Sequence, residues 1–154
     1  MSPALLIRPV QAQDGSGWLP LWRAYLAFYG FAGATALPDD VTHTTWQRLL
    51  DPSEPVHALV AQRGDQLVGL THYLFHRSTW EIGPDCYLQD LFTAEAVRGQ
   101  GVGRALIAAV GEQARAVGAA SVYWQTHETN ATAMRLYDQV TAKSGFVVYR
   151  LPLT

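Results

Sequence analysis

Stretches in which apolar residues recur every three or four positions alternate along this chain with stretches in which they recur every second position or run together, and the two periods predict different elements. Leu5 to Ile7 is a short apolar run closed by Arg8 and Pro9, which predicts an edge strand because proline cannot donate to an inner ladder. After a break at Gly15 and Gly17, Trp18, Leu21, Trp22, Tyr25, Leu26 and Tyr29 fall at helical spacing, and Gly30 and Gly33 end that helix. Thr42 to Leu50 predicts a second, shorter helix with Trp46, Leu49 and Leu50 on one face, closed by Pro52 and Pro55. The period then shortens. His57 to Gln62 and Gln66 to His76 flank Arg63-Gly64-Asp65 and predict a β-hairpin turned at Gly64-Asp65. A polar stretch from Arg77 to Asp85 precedes a further strand, Cys86 to Thr93, whose alternation places Cys86 and Asp90 on one face and Gln89 and Leu91 on the other. A glycine-rich segment leads into a long amphipathic helix from Val102 to about Val117, with Leu106, Ile107, Val110 and Ala114 at 3.6-type spacing and Gly118 as its stop. Ser121 to Gln125 is strand-like, Ala131 to about Lys143 helical, and Phe146 to Leu151 a final strand after Gly145.

The resulting order, β-α-α-β-β-β-α-β-α-β, is an α/β (α+β) chain with a mixed sheet flanked by helices, not a regular β-α alternation. Its 154 residues set one domain, 1–154, as the expectation, without repeats or linkers. That length buries enough surface to fold without disulfide or metal staples. The single cysteine, Cys86, and the lack of any zinc-type Cys/His spacing agree, and predict a reducing compartment and no metal. The first ten residues lack an apolar stretch of signal-peptide length and no run approaches a membrane span, so the expected setting is cytoplasmic, with no membrane partner. Eleven Lys and Arg against 13 Asp and Glu give a net charge of −2, which excludes a basic field for nucleic acid. Only 16% of the residues are charged, where about 25% is usual, and that deficit points to apolar surface held in a subunit interface.

The stretch that carries chemistry is Leu91-Phe92-Thr93-Ala94-Glu95-Ala96-Val97-Arg98-Gly99-Gln100-Gly101-Val102-Gly103-Arg104. It joins a strand to a helix through three glycines, an arrangement that aims several backbone N–H groups at one point on the positive end of a helix and so stabilises a phosphate. Arg104-Ala105 after Gly103 lacks the Lys-hydroxyl ending of an ATP-binding loop. A dinucleotide-type G-x-G-x-x-G also fails, since its last small residue falls on Arg104 or Leu106.

Arg98-x-x-Gly101-x-Gly103 matches the Arg/Gln-x-x-Gly-x-Gly/Ala signature of the GNAT superfamily of acyl-CoA-dependent N-acetyltransferases, and the order of elements resembles that family's over nearly the whole chain. Asn130-Ala-Thr-Ala-Met-Arg-Leu-Tyr137, followed by Gly145-Phe146, resembles the family's Asn-x-x-Ala-x-x-x-Tyr helix and the start of its last strand. Within the family, Cys86-Tyr-Leu-Gln-Asp-Leu-Phe and Trp124-x-Thr-x-x-x-Asn130 look most like the polyamine and histone-type branch.

The resemblance implies acetyl-CoA as co-substrate and a primary amine (a polyamine, a lysine side chain or another small amine) as acceptor. It implies that the amides of Gln100, Gly101, Val102, Gly103 and Arg104, with Arg98 and Gly99 beside them, hold the pyrophosphate. Leu91, Phe92 and Thr93 would pair with the pantetheine arm and direct an N–H at the thioester carbonyl. Asn130 would touch the arm and Tyr137 would protonate the leaving thiolate, as a phenol with a pKa of about 10 can. Taken alone, Asn130 is equally an N-cap and Tyr137 a core residue. Branch members carry Glu-Asp where this chain has Gln89-Asp90, and glutamine accepts no proton. The amine therefore arrives neutral or a water relay uses Asp90, Glu81, Asp85 or His72. His72 on its own reads as a satisfied strand histidine. Tyr25, Tyr29, Glu81 and Gln89, with Asp39 and Asp40, are the acceptor-site candidates. A non-catalytic acyl-CoA-binding or sensor module is the alternative, resting on Gln89.

Overall fold

Strands β1 (Leu5–Pro9), β2 (Val56–Arg63), β3 (Gln66–His76), β4 (Asp85–Thr93) and β5 (Val122–Tyr123) form one sheet in that order, antiparallel from β1 to β4 and parallel between β4 and β5. Helices α1 (Gly15–Phe28), α2 (Asp39–Leu50), α3 (Val102–Ala116) and α4 (Ala131–Val140) complete the fold in this computed structural model, which describes residues 3–154. The chain divides into two compact units, one ending at Trp124 with the sheet and α1 to α3, the other running from Gln125 to Thr154 with α4.

In the first unit the alternation of β3 decides what packs where. Leu70 faces the α1 and α2 side, where Trp18, Leu21, Trp22, Leu49 and Ala58 form a buried cluster with it. Gly69, one residue earlier, faces α3, and a side chain there would meet Leu106 Cδ1, Val102 Cγ1 and the Phe92 carbonyl, each at 3.1 Å. Glycine thus lets α3 lie close on the sheet, and Val102, Leu106, Val110 and Ala114 are buried against it. Trp18 joins the layers, its ring 4.8 Å from Trp46 of α2 and 5.8 Å from Trp22. Arg8 of β1 fixes the start of α1 through two hydrogen bonds of 2.8 Å to Asp14, which hold that carboxyl below its ordinary range.

The predicted edge strand, both early helices, the hairpin and α3 are present, with α1 beginning at Gly15 and α2 at Asp39, earlier than the breaks in periodicity indicate. Gly15 and Gly17 lie in the first turn of α1, and at Gly17 a side chain would meet Leu67 Cδ1 at 3.0 Å. The expected strand Ser121 to Gln125 reduces to two residues and the helix after Asn130 stops at Val140.

Two expectations are corrected. Phe146 to Leu151 forms no strand, so the order ends at α4; strand backbone needs a ladder partner, and among the described residues the sheet holds five strands, none from this segment. Phe146, Tyr149, Leu151 and Leu153 are each more than four-fifths exposed. Nor do Cys86 and Asp90 share a face. Leu88 pairs with Tyr73 and Asp90 with His72, leaving Gln89 as the extra residue of a β-bulge. The bulge reverses the alternation, so Cys86 and Leu88 share Tyr73's side of the sheet while Asp90 and Phe92 turn with His72 and Leu70 toward α1.

Candidate active site

Among the described residues β5 pairs with β4 only at Cys86 and Tyr87, so within the sheet the edge of β4 from Leu88 to Thr93 continues without a strand beside it. Leu91, Phe92 and Thr93 occupy that stretch, and their other edge is occupied by β3. A bound chain with amide groups can pair there as a strand would. The strand then passes through a short 3-10 turn, Glu95–Val97, to Gly99 and Gly101, both left-handed at φ +79° and +84°. Gly101 is the N-cap of α3, and Ala105 is the first residue to donate back into the helix, at 3.0 Å to the Gly101 carbonyl. The N–H groups of Val102 and Gly103 therefore lie ahead of the ladder at the positive end of a 15-residue helix. Nothing stands within 4 Å of where side chains on Gly99 or Gly101 would project, so the space in front of the turn is open.

Cations surround this turn. Arg63, at the end of β2, donates to Gln100 Oε1 at 2.5 Å, and its Nε is buried with no hydrogen-bond partner. Arg98 lies over the Phe92 ring, 5.6 Å from its centroid. An open glycine turn, a helix N-terminus and a buried guanidinium N–H without a partner fit a pyrophosphate and the amide-bearing arm behind it. Arg63 escapes sequence reasoning because it lies 35 or more positions before the glycines and only the sheet brings it there.

On the α1 side of β4, Asp90 is the centre of a second group. His72 Nδ1 donates to Asp90 Oδ2 at 2.9 Å, and Trp18 Nε1 donates to His72 Nε2 at 3.1 Å. Asp90 keeps 14% of its side-chain surface, whereas His72 keeps 3%. Trp18, Trp22, Tyr25 and Tyr29 follow one another along one face of α1, with Tyr25 stacked on Trp22 at 5.3 Å and edge-on to Phe92 at 6.3 Å. Tyr29 meets Tyr25 edge-on at 5.1 Å, and its phenol is raised above its ordinary value by burial first and by the Asp90 charge second. A carboxylate beside an aromatic wall suits an alkylammonium group.

The structure thus brings Asp90, Tyr25, Tyr29 and Phe92 into one group, and Leu91 to Arg104 into the strand-turn-helix beside it. Gln89 is exposed on the bulge. Glu81 lies on the exposed loop ahead of β4. Asp85 accepts from Ser121 Oγ at 3.1 Å, and Asp39 lines a separate cleft of about 460 Å³ between α1 and α2, with Trp18, Phe31 and Trp46 among its walls. In the second unit Asn130 caps α4, its Oδ1 accepting from the Ala133 N–H at 3.3 Å, and Tyr137 is partly buried on that helix.

Cys86 is fully buried, and burial pushes its thiol up to about 11. A buried thiol held protonated near neutral pH is a poor nucleophile, which argues against a covalent route through it. Native protein at pH 8 is expected to show no reaction with a disulfide reagent within an hour, against one thiol per chain in denaturant, and Cys86→Ala is expected to keep its kcat; a fast native thiol would contradict this.

Residues 18–141 match the Acetyltransferase (GNAT) family. The chain is 33% identical over 149 residues to the D-amino-acid N-acetyltransferase HPA3 of Saccharomyces cerevisiae, covering 95% of this chain and 89% of that one. It is 34% identical over 95 residues to the thialysine N-epsilon-acetyltransferase of Bos taurus, covering 56% of this chain and 55% of the relative. Among solved structures, aminoglycoside N-acetyltransferase AAC(6')-Iy in complex with CoA superposes with a TM-score of 0.82 at 16% identity, over 100% of this chain and 97% of that one, a likeness of fold.

Proposed function

The chain belongs to the acetyltransferase (GNAT) family and is an acyl-CoA-dependent N-acetyltransferase, and from that premise we propose that it moves the acetyl group of acetyl-CoA directly to the primary amine of a small molecule or a lysine-type side chain, with Asp90 as the base and no enzyme-bound acyl intermediate. The observation that carries the reading is the unpaired half of β4 running into the open glycine turn at the head of α3, a few residues from a carboxylate in an aromatic wall.

Acetyl-CoA supplies an activated acyl group and a thiolate leaving group. The backbone of Leu91, Phe92 and Thr93 holds the arm and turns one N–H toward the acyl oxygen, while Gln100 to Arg104, with Arg98 and Gly99, hold the phosphates. Tyr25 and Tyr29 flank the acceptor, and Asp90 takes the proton that the ammonium must lose before its nitrogen can attack. Gln89, exposed at the bulge, contacts the acceptor as a hydrogen-bonding group. By the family resemblance Asn130 would support the arm, and Tyr137 would give its proton to the sulfur and regain one from the nitrogen as the amide forms. The relatives named above, a D-amino-acid N-acetyltransferase and a thialysine N-epsilon-acetyltransferase, support an amino-acid-sized acceptor amine.

We further propose that the enzyme works as a cytoplasmic homodimer without a metal. A second copy is the partner that suits the exposed C-terminal segment. Its apolar side chains from Phe146 to Leu153, doubled by symmetry, offer on the order of the 1,600 Å² that a stable interface buries.

The test is thermal. Acetyl-CoA at about 100 times its Kd is expected to raise Tm by about 5 to 10 °C, whereas ATP and NADH leave it unchanged, and adding a diamine or lysine then releases free thiol. No rise with acetyl-CoA, or a rise without thiol release from any amine, overturns the proposal.

A further inference from the structure

The indole of Trp18 and the imidazole of His72 are nearly completely buried and lie in line with Asp90, and their hydrogen bonds can run in one direction only. An indole nitrogen donates and never accepts, so the lone pair facing it must be on His72 Nε2, and the ring proton must then be on Nδ1, facing Asp90. A second proton on the ring would set two donors against each other at 3.1 Å. Such a buried pair could be ordinary core satisfaction, but two features give it direction. The chain of donors ends on a carboxylate that keeps an exposed side, and the Gln89 bulge turns that carboxylate toward α1, whereas unbroken alternation would have put it on the opposite face.

We propose that Trp18 and His72 are positioning residues for acetyl transfer: the Trp18 N–H fixes the neutral Nδ1–H tautomer of His72, and that N–H holds Asp90 Oδ2, leaving Oδ1 to receive the proton of the attacking amine. The inference rests on Asp90 as the base. His72 itself takes no proton in the cycle, because its one lone pair is committed to Trp18. Without the indole, the ring can charge at Nε2; the imidazolium then grips Asp90 as an ion pair and makes it a poorer proton acceptor. The titratable groups facing the pair are Asp90 on β4 and the phenols of Tyr25 and Tyr29 on α1, while β2 places Ala58 opposite His72 and α2 brings the uncharged Trp46 against Trp18.

The test uses the full chain and the pH dependence of kcat with saturating acetyl-CoA. Trp18→Phe is expected to lower kcat about 3-fold at pH 8.5 and about 10-fold at pH 6, a fall toward acid that the unmodified enzyme lacks. His72→Asn, whose amide N–H can replace Nδ1, and His72→Leu, which has no donor, both deprive the Trp18 N–H of its partner, so their difference isolates the hold on Asp90. The Asn variant is expected to keep at least 10 times the kcat of the Leu variant, with KM for acetyl-CoA the same in both. Equal rates in the two His72 variants, or an unchanged pH profile in Trp18→Phe, overturns the positioning role even if one variant folds poorly, since the other reads it independently. Asp90→Asn separates the failures. If it abolishes turnover while the Trp18 and His72 variants do not respond, only the positioning falls; if it keeps full kcat, the base assignment falls and takes the positioning with it.

Discussion

Asp90→Asn is expected to lower kcat at pH 7.5 by about 100-fold, a loss of about 2.7 kcal/mol of transition-state stabilisation, with KM for acetyl-CoA unchanged. The substitution is nearly isosteric, and its amide oxygen can still accept from His72 Nδ1, so the Trp18–His72 pair and the core around it remain as they are. What disappears is the group that can hold a proton. None of the groups proposed to bind acetyl-CoA is the Asp90 carboxylate, and the backbone N–H groups of Leu91 to Thr93 are unchanged by the substitution, which explains why binding survives. The deficit should also depend on pH in a particular way. An alkylammonium with a pKa of about 10.4 is almost wholly charged at neutrality and needs a base, whereas near pH 10 a large share arrives neutral and needs none. The ratio of the two rates should therefore shrink toward a few-fold as pH rises through 9 and 10. A full rate at pH 7.5, or a deficit that stays constant to pH 10, would contradict Asp90 as the base.

The parts of this architecture that depend on local pattern were legible in the chain. Helical spacing exposes α1 and α3, the Gly64-Asp65 turn fixes the β2-β3 hairpin, and the strand-glycine-helix junction, with its open turn at the head of α3, is recognisable without help from the fold. What pattern cannot show is where an extra residue sits in a ladder or which chain supplies a strand's neighbour. Gln89 reads as one more alternating position, yet the register skips it, and that one residue moves Asp90 from the side of Cys86 to the side of Trp18. Phe146 to Tyr149 is as strand-like as any segment here, but β structure is made by pairing, and no partner within the sheet claims it. Trp18 illustrates a third limit. Its spacing identifies a core residue, which it is, while its hydrogen bond to a residue 54 positions away gives it chemistry that spacing does not carry.

Gly101→Val is expected to raise KM for acetyl-CoA by about 10- to 100-fold and to abolish most of the thermal shift that acetyl-CoA produces. Two separate costs lead to that outcome. At φ +84° a β-branched residue is strained by about 1 to 2 kcal/mol or moves to another backbone region, and either change turns the first amides of α3 away from their common point. The side chain also projects into the open space before the turn, where no atom of the described residues beyond its chain neighbours lies within 4 Å and where the phosphates are proposed to sit. Gly111 provides the control within the same helix. It too has nothing within 4 Å of a side chain, but it stands in mid-α3 without a positive φ, so Gly111→Ala should gain about 0.5 to 1 kcal/mol of stability and leave KM unchanged. If both variants bind acetyl-CoA as the unmodified chain does, the glycines at the head of α3 serve only the turn, and the pyrophosphate must be held elsewhere. If only Gly101→Val loses binding while kcat at saturation stays within a few-fold, the turn is doing what its geometry suits it for: gripping the far end of the co-substrate while Asp90 and β4 handle the reacting end.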